Sequence, residues 1–182
     1  MQRIGATGRR IILYSIIAII VVALVVTDIL TKVGFVSLFE KKGETVVIPN
    51  FFYFTYVRNT GSAFGFMSKV SWAQTFFKIF TAVSLVMFIG FMVYAIVKNK
   101  RLLTVALMLI IAGAIGNYID RLFLGYVRDF IGFTFGNYNF PIFNFADICL
   151  TIGSIVFFVN FLFVDEQAIF KKNGNESTDC NE

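Results

Sequence analysis

Residues 11–30, "IILYSIIAIIVVALVVTDIL", form an apolar run whose only charged residue, Asp28, lies near its end. A helix needs about 20 mostly apolar residues to cross the roughly 30 Å hydrocarbon core of a bilayer, and this run has that length. Arg9 and Arg10 precede it, as basic residues do in a secretory signal peptide. The run is too long for a signal peptide and no small-x-small cleavage site follows, so we interpret it as a retained membrane span.

Three further runs of the same kind follow, at about residues 76–97, 102–121 and 146–163. The whole chain of 182 residues is 58% hydrophobic, 18% aromatic and only 15% charged, which excludes an ordinary soluble domain. The sequence therefore predicts a mainly α-helical membrane protein built on a bundle of four transmembrane helices. The net charge of +5 does not indicate nucleic-acid binding, because the basic residues are scattered or lie at the ends of apolar runs.

The basic residues predict the orientation of the bundle. They cluster before the first span, between the second and third spans, and after the fourth span. Basic residues in short flanks favour the cytoplasm, so we expect a multi-pass protein with both termini cytoplasmic. This interpretation divides the chain into a cytoplasmic tail at 1–10, a four-span membrane domain at 11–165 and a cytoplasmic, disordered tail at 166–182.

The segment between the first two spans, about residues 34–75, differs from the spans in composition. It contains "TVVIPNFFYFTYV", rich in β-branched and aromatic residues, followed by the turn-forming "RNTGSAFG". We expect a small β-sheet outside the membrane. The stretch "SKVSWAQTFFKIF" at 68–80 interleaves aromatic and polar residues, which suits a helix lying in the membrane interface; a plain turn into the second span is the alternative.

Four aspartates are expected to meet at one face of the membrane. With a cytoplasmic start, Asp28 lies at the outer end of the first span and Asp120 at the outer end of the third. Asp147 begins the fourth span, and Asp129 lies in the outer connection just before it. Because a charged residue is costly in lipid, an acid near a span is by default a functional residue. The sequence thus predicts a carboxylate site near the outer face.

Each acid within a span belongs to a polar set at helical spacing. Asp28, Thr31 and Lys32 are i, i+3 and i+4, Asn117, Asp120 and Arg121 repeat that spacing, and Asn144 and Asp147 are i and i+3. One interpretation is that the pairs Asp28–Lys32 and Asp120–Arg121 are neutral and lock the bundle together, as polar residues often do in lipid. The other is that these residues belong to a site. The spacing leaves both open.

Asp129 and Asp147 have no cation at helical spacing, and two carboxyl groups brought close in a poorly hydrated place tend to share one proton. Such a pair can activate water and polarise a peptide carbonyl, which is aspartic-protease chemistry and requires no metal or cofactor. The chain has no histidine, which removes Ser-His and Cys-His nucleophile pairs. The two cysteines, Cys149 and Cys180, are too few for a disulfide framework.

Two other functions compete with a protease. A small ion or proton carrier would use the same acids as relays, but it predicts acids spread through the membrane depth or an inverted repeat. A non-catalytic scaffold would use the acids only as structural locks.

Five blocks, in order, resemble the motifs of the bacterial lipoprotein signal peptidases, also called signal peptidase II. They are "DILTK" (28–32), "NTGSAFG" (59–65), "GNYIDR" (116–121), "VRDF" (127–130) and "FNFAD" (143–147), and the resemblance spans about residues 10–165. Each block alone is weak, but five in order, separated by the right spans, are specific. One departure is Ile29, where the family commonly has glutamine.

The resemblance implies an aspartyl endopeptidase of the bacterial inner or cytoplasmic membrane. The sequence does not define its oligomeric state, and we favour a monomer. Its substrates would be prolipoproteins carrying a diacylglyceryl cysteine, cut on the amino side of that cysteine at the outer membrane face, beside membrane lipid. The family's extracytoplasmic part is a β cradle with an interfacial helix. The resemblance assigns Asp129 and Asp147 as the catalytic pair and gives ten supporting or substrate-binding residues: Asp28, Lys32, Asn59, Gly61, Ala63, Asn117, Asp120, Arg121, Asn144 and Ala146.

Overall fold

The computed structural model describes residues 6–61 and 72–164. Its elements, in chain order, are α1 (Ala6–Phe39), β1 (Thr45–Ile48), β2 (Phe52–Asn59), α2 (Ala73–Val97), α3 (Arg101–Phe123), β3 (Val127–Phe135), β4 (Tyr138–Asn139) and α4 (Phe145–Val159), which continues into a π-helical turn (Asn160–Val164). Four helices of the described part are long and apolar enough to cross a membrane. The predicted four-span bundle with a small sheet is confirmed.

The first helix is longer than the predicted span of 11–30, because nothing in the next nine residues interrupts it. Lys32 does not end the helix, since its ammonium group is paired one turn back with Asp28, Nζ to Oδ2 2.7 Å. The helix ends only before Gly43, which has a φ of +70° and donates its N–H to the Phe39 carbonyl. Residues 34–39, which the sequence analysis placed in the β segment, are therefore helical.

The sheet has four antiparallel strands in the order β1, β2, β3, β4. The turn between β1 and β2 contains Pro49 followed by Asn50, whose φ is +58°, and the Phe51 N–H donates to the Ile48 carbonyl. Only these two strands come from the predicted β segment. Strands β3 and β4 follow α3, in residues that the sequence analysis treated as a connection, so Asp129 lies on a strand.

Helix α3 contains more buried residues than any other described helix and packs against the other three helices. Two glycines of α3 allow the neighbouring helices to approach it closely. A Cβ at Gly113 would lie 2.4 Å from the Ala146 carbonyl oxygen of α4, and one at Gly116 would lie 2.4 Å from Asp28 Oδ2 of α1. The role of these two glycines is therefore helix packing. The close packing that they allow brings the acids of three helices side by side.

An aromatic cluster fastens the sheet to the end of α1. The ring of Phe35 lies 4.3 Å from that of Phe130 on β3 and 4.6 Å from that of Phe54 on β2, measured between centroids. Aromatic contacts at this range stabilise beyond the area that they bury. The cluster holds Asp129, the neighbour of Phe130 in sequence, near the end of the bundle where Asp28 lies.

The interfacial helix predicted at 68–80 overlaps the start of α2. Residues 73–80 form one continuous helix with the rest of the second span, and residues 68–71 lie outside the described residues. Of the two predicted tails, residues 6–10 belong to α1, while 1–5 and 166–182 also lie outside the described residues.

Candidate active site

A backbone bridge joins the two predicted catalytic segments. The Phe143 N–H donates to the Ile131 carbonyl at 3.0 Å, and the Ile131 N–H donates back to the Phe143 carbonyl at 2.9 Å. Asp129 lies two residues before this bridge on β3, and Asp147 lies four residues after it on α4. The bridge therefore brings together two acids that the chain separates by a turn and a short strand.

Asn144 and Asp147 form the capping box that begins α4. The Asn144 side chain accepts from the Asp147 N–H at 3.1 Å, and the Asp147 carboxylate accepts from the Asn144 N–H at 3.0 Å. A capping box satisfies two backbone donors that a helix start leaves without partners. Asp147 is thus held in the first turn of α4, where the helix dipole stabilises negative charge.

Asn144 also contacts the second acid, and it does so while completely buried. Its Nδ2 donates to Asp129 Oδ1 at 2.6 Å, and Asn59 Nδ2 donates to the other oxygen, Oδ2, at 2.9 Å. Asp129 is 2% exposed. Burial, and then the nearby charge of Asp147, raises the pKa of Asp129 to about 7. We call Asp129 and Asp147 the acid pair.

Asn117 of α3 connects the acid pair to a buried cation. Its Nδ2 donates to Asp147 Oδ1 at 2.8 Å, while its Oδ1 accepts from Lys32 Nζ at 3.0 Å and from Asn144 Nδ2 at 3.1 Å. Each of the four carboxylate oxygens of the acid pair therefore accepts an N–H from an asparagine.

A second group of acids is neutralised by cations, and we call it the ionic lock: Asp28, Lys32, Asp120 and Arg128. Lys32 Nζ lies 2.7 Å from Asp28 Oδ2 and 3.5 Å from Asp120 Oδ2, and Arg128 Nη2 lies 2.6 Å from Asp120 Oδ1. Asp28 also accepts the Ala146 N–H at 2.9 Å. The two acids and two cations balance, so this cluster joins α1, α3, β3 and α4 without net charge.

The predicted pairing of Asp120 with Arg121 is wrong, whereas that of Asp28 with Lys32 is confirmed. Asp120 accepts both the side chain and the backbone N–H of Arg128. Successive side chains of a strand point to opposite faces, so Arg128 turns to the ionic lock while Asp129 turns to the acid pair. From the sequence alone, Arg128 was recognised only as a neighbour of Asp129. Had "VRDF" been taken as a strand, the alternation of its side chains would have placed Arg128 and Asp129 on opposite faces and given them different roles.

Arg121 faces the acid pair instead. Its guanidinium lies 5.2 Å from the ring centroid of Phe77 on α2, and its Nη2 donates to the Gly61 carbonyl at 3.4 Å. Within the described part of the chain its buried Nε has no hydrogen-bond partner. Gly61 is buried and donates its N–H to Asn59 Oδ1 at 3.0 Å. Arg121 therefore offers an unused donor and a positive charge beside two carboxyl groups.

The acid pair opens into a cavity of about 640 Å³ between α2, α3 and α4. Asn59, Asn117 and Arg121 line its polar end together with the acid pair. The rest is largely apolar, with the aromatic side chains of Phe76, Phe77, Phe80, Phe88, Phe140 and Phe143. The site can thus hold an apolar chain with a polar group against the acids.

Most of the predicted site residues meet in one place. Eleven of the twelve are joined by the contacts above. Five form the acid pair and its asparagines, three belong to the ionic lock, and the other three contact these groups directly or through one another: Gly61, Arg121 and Ala146. Ala63 lies outside the described residues. The sequence did not reveal that aromatic residues of α2 line the cavity. It indicated only that this stretch has the pattern of an interfacial helix.

The model of the family described as signal peptidase (SPase) II matches residues 20–163, most of the chain. The chain belongs to the signal peptidase II family. Relatives named lipoprotein signal peptidase are 40% identical over 157 residues in Listeria monocytogenes serotype 4a and 41% identical over 152 residues in Bacillus pumilus. These alignments cover 85% and 82% of this chain, and 95% and 92% of the relatives.

Two solved structures share the signal peptidase II fold of this chain. Both are described as a bacterial membrane enzyme determined by the in meso method, one at 2.3 Å and one at 1.9 Å resolution. They match with TM-scores of 0.66 and 0.68 at 37% identity, covering 81% of this chain and 88% and 93% of theirs.

Proposed function

We propose that this protein is an aspartic endopeptidase that removes the signal peptide from prolipoproteins whose cysteine carries diacylglycerol. It cuts on the amino side of that cysteine. Asp129 and Asp147 act as the catalytic pair, and no metal or cofactor takes part. The family and the names of its relatives support the protease and its substrate class.

One observation carries the assignment of the catalytic pair: a single buried asparagine, Asn144, contacts both acids at the polar end of an apolar cavity. The shared contact holds the carboxyl groups side by side, and the raised pKa of Asp129 supports a pair that keeps one proton near neutral pH. The pair titrates as a unit, so the proton belongs to both.

The reaction follows from a pair that holds one proton. The ionised carboxylate takes a proton from water, whose oxygen attacks the scissile carbonyl carbon, while the protonated carboxyl donates its proton to the carbonyl oxygen. When the C–N bond of the tetrahedral intermediate breaks, the first carboxyl gives its new proton to the leaving amine. The second recovers a proton from the intermediate's hydroxyl group. The products are a signal peptide ending in a carboxylate and a lipidated cysteine with a free amine.

Arg121 and the asparagines serve this reaction as positioning and binding groups. Arg121 places a positive charge at the cavity wall, suited to a substrate carbonyl next to the scissile bond. Asn59 and Asn144 orient Asp129, and Asn117 orients Asp147. The ionic lock holds α1, α3 and β3 together next to these residues.

The sheet and the acid pair lie at one end of the bundle, and Lys98, Lys100 and Arg101 connect α2 to α3 at the other. Because basic loops favour the cytoplasm, we place that loop and both termini on the cytoplasmic side of a bacterial membrane and the acid pair near the outer face. One chain supplies every group of the mechanism, so we propose a monomer acting within membrane lipid.

The ion or proton carrier is not supported. The family and relatives are named for a peptidase, and the buried acids of the described residues cluster at one end of the bundle. A scaffold that used its acids only as locks would neutralise them all, whereas the acid pair is held by neutral amides.

The test is cleavage of a synthetic diacylglyceryl-modified prolipoprotein peptide by purified protein in detergent. Asp129→Asn and Asp147→Asn should each lower kcat by at least about a thousandfold, because each removes a proton-transfer group while the amide preserves size. Both variants should still purify as monodisperse folded protein.

The matched control is Glu44→Gln, which neutralises an exposed carboxylate in the turn before β1. It should leave kcat and KM unchanged. Full activity in either aspartate variant would remove that residue from the catalytic pair, and no cleavage by the unmodified protein would overturn the proposed substrate.

A further inference from the structure

Three hydroxyl groups line the cavity below the acid pair: those of Thr81 and Ser84 on α2 and Thr151 on α4. Within the described residues, none of the three has a hydrogen-bond partner. Thr81 and Ser84 are half-buried, and Thr151 is exposed along the open cavity. In an apolar cavity within a membrane, a hydroxyl group without a hydrogen-bond partner costs free energy. The three hydroxyls can therefore donate to an acceptor that binds in the cavity.

Helical hydroxyls elsewhere in the protein often find such an acceptor in their own helix. Four of them donate to a backbone carbonyl three or four residues earlier, at 2.7 to 3.0 Å: Thr27, Thr31, Ser37 and Thr104. Ser15, Thr75 and Ser154 lack this bond as well, so the distinguishing feature of the three cavity hydroxyls is their position. They line the cavity next to the acid pair.

The three hydroxyls lie one to two helical turns from the reacting groups, on the side away from the sheet. Thr151 follows Asp147 by four residues, which is about one turn, or roughly 6 Å along α4. Thr81 and Ser84 follow Phe77, the ring under Arg121, by four and seven residues, or roughly 6 and 10 Å along α2. Both helices run away from the sheet, so the hydroxyls flank the cavity one to two turns deeper than the acid pair.

A bound signal peptide presents unpaired carbonyl groups at this depth. Its membrane-crossing helix has to end before the scissile bond, because a bond inside a helix is shielded by neighbouring turns. A helix end leaves its last four carbonyl groups without intrahelical donors. In a membrane each of these carbonyls needs a donor from protein or water.

We propose that Thr81, Ser84 and Thr151 donate hydrogen bonds to carbonyl oxygens of the bound substrate and so stabilise the unwound segment before the cleavage point. This inference rests on the proposed function. The acceptors are carbonyls of the signal peptide, and the ester carbonyls of the diacylglyceryl group share the same chemistry. The three hydroxyls are binding residues that act before the chemical step.

The experiment compares cleavage kinetics of the variants Thr81→Val, Ser84→Ala and Thr151→Val, and of the triple variant, with those of the unmodified protein. Hydrogen bonds of this kind within membranes are worth about threefold each, so the triple variant should raise KM by roughly tenfold or more with kcat little changed. Thr81→Ser with Thr151→Ser, which keeps both hydroxyls, should retain most of the affinity.

The matched control is Thr104→Val, which removes a hydroxyl already bonded to the Lys100 carbonyl and remote from the cavity. Its KM should not change. Two substrates identify the acceptor: a diacylglyceryl peptide and its dialkyl ether analogue, which lacks ester carbonyls. An equal loss on both substrates assigns the peptide carbonyls, and a loss confined to the ester substrate assigns the lipid.

An unchanged KM in the triple variant on both substrates would overturn the inference while leaving the proposed function intact. Failure of the proposed function has a different signature, since the unmodified protein would then cleave neither substrate.

Discussion

The ionic lock and the acid pair are neighbouring clusters of aspartates, of which Asp147 alone is half-buried and the other three are buried, yet the two clusters are built from opposite partners. In the ionic lock, the carboxylates of Asp28 and Asp120 contact the cations Lys32 and Arg128 at 2.6 to 3.5 Å. In the acid pair, Asp129 and Asp147 accept hydrogen bonds from amides. A cation fixes a carboxylate in its charged form, whereas an amide holds its position and leaves its proton exchangeable.

This difference explains how one small domain holds four acids side by side and uses only two in the proposed chemistry. The charges of the ionic lock are paired with one another, and the cluster provides rigidity. The acid pair faces a cavity and can gain or lose a proton during turnover. Asn117 connects the two clusters, because it accepts from Lys32 and donates to Asp147.

The largest effect on stability is expected where the ionic lock loses its central cation. Lys32→Met leaves Asp28 and Asp120 with one cation between them in a site where Lys32 itself is 0% exposed. Breaking a buried ion pair in this way typically costs about 3–5 kcal/mol of unfolding free energy. Thermal unfolding in detergent should show a large fall in Tm or a failure to accumulate folded protein.

The control for this prediction is Lys42→Met, which removes an exposed lysine just after α1. It should leave Tm unchanged. A double variant, Asp28→Asn with Lys32→Met, should recover part of the loss because it removes one of the stranded charges. A Lys32→Met protein as stable as the parent would contradict the division into a structural and a chemical cluster.

A smaller effect, on rate more than on stability, is expected at the asparagine that both acids share. Asn144→Ala removes a donor to Asp129 and should lower kcat about 10- to 100-fold, the value of a hydrogen bond to a charged group. Loss of the helix cap should cost about 1 kcal/mol of stability. Steady-state kinetics and thermal unfolding measure the two effects separately.

Asn144→Ser divides these roles, since serine keeps an N-cap acceptor for the Asp147 N–H but loses the amide that donates to Asp129. It should preserve the cap better than alanine does while remaining poorly active. Equal activity in both variants and the parent would show that Asn144 serves only the helix.

The smallest effect is a dependence on pH. Burial and the charge of Asp147 raise the pKa of Asp129 to about 7, so the acid pair retains the proton that the mechanism requires below about pH 7 and loses it above. We therefore expect kcat/KM to decline above about pH 7, approaching tenfold per unit, in a profile measured from pH 5 to 9. A profile flat to pH 9 would contradict the assignment.

The stability of the folded protein should also decline as the pH rises. The pKa of Asp129 is raised from its ordinary 3.8, so the folded protein holds a proton that the unfolded chain releases. This contribution is complete below about pH 3.8 and is lost as the pH rises through about 7. Asp129→Asn should therefore raise Tm more at pH 8 than at pH 5.

The sequence predicted the spans and the meeting of acids well, because apolar length and helical spacing are local properties. Asp28 with Lys32, and Asn144 with Asp147, lie within one turn of each other, so their contacts follow from spacing alone. The motifs of the family supplied the catalytic assignment that spacing left open.

What the sequence did not predict depends on contacts between distant segments. Strand β3 forms because β2 offers it an edge and the aromatic cluster covers it, and neither condition is visible in residues 127–135 themselves. The partner of Asp120 was misjudged for the same reason: Arg121 is adjacent on the helix, but Arg128 reaches the carboxylate only once the strand is in place.

The capping box of α4 has a consequence for biosynthesis. Asn144 and Asp147 belong to the fourth span, and the amides that hold Asp129 and Asp147 come from β2, α3 and α4. A nascent chain with three spans inserted therefore lacks Asp147 and the asparagine that both acids share. The enzyme can cut other proteins only after its own fourth span has left the ribosome.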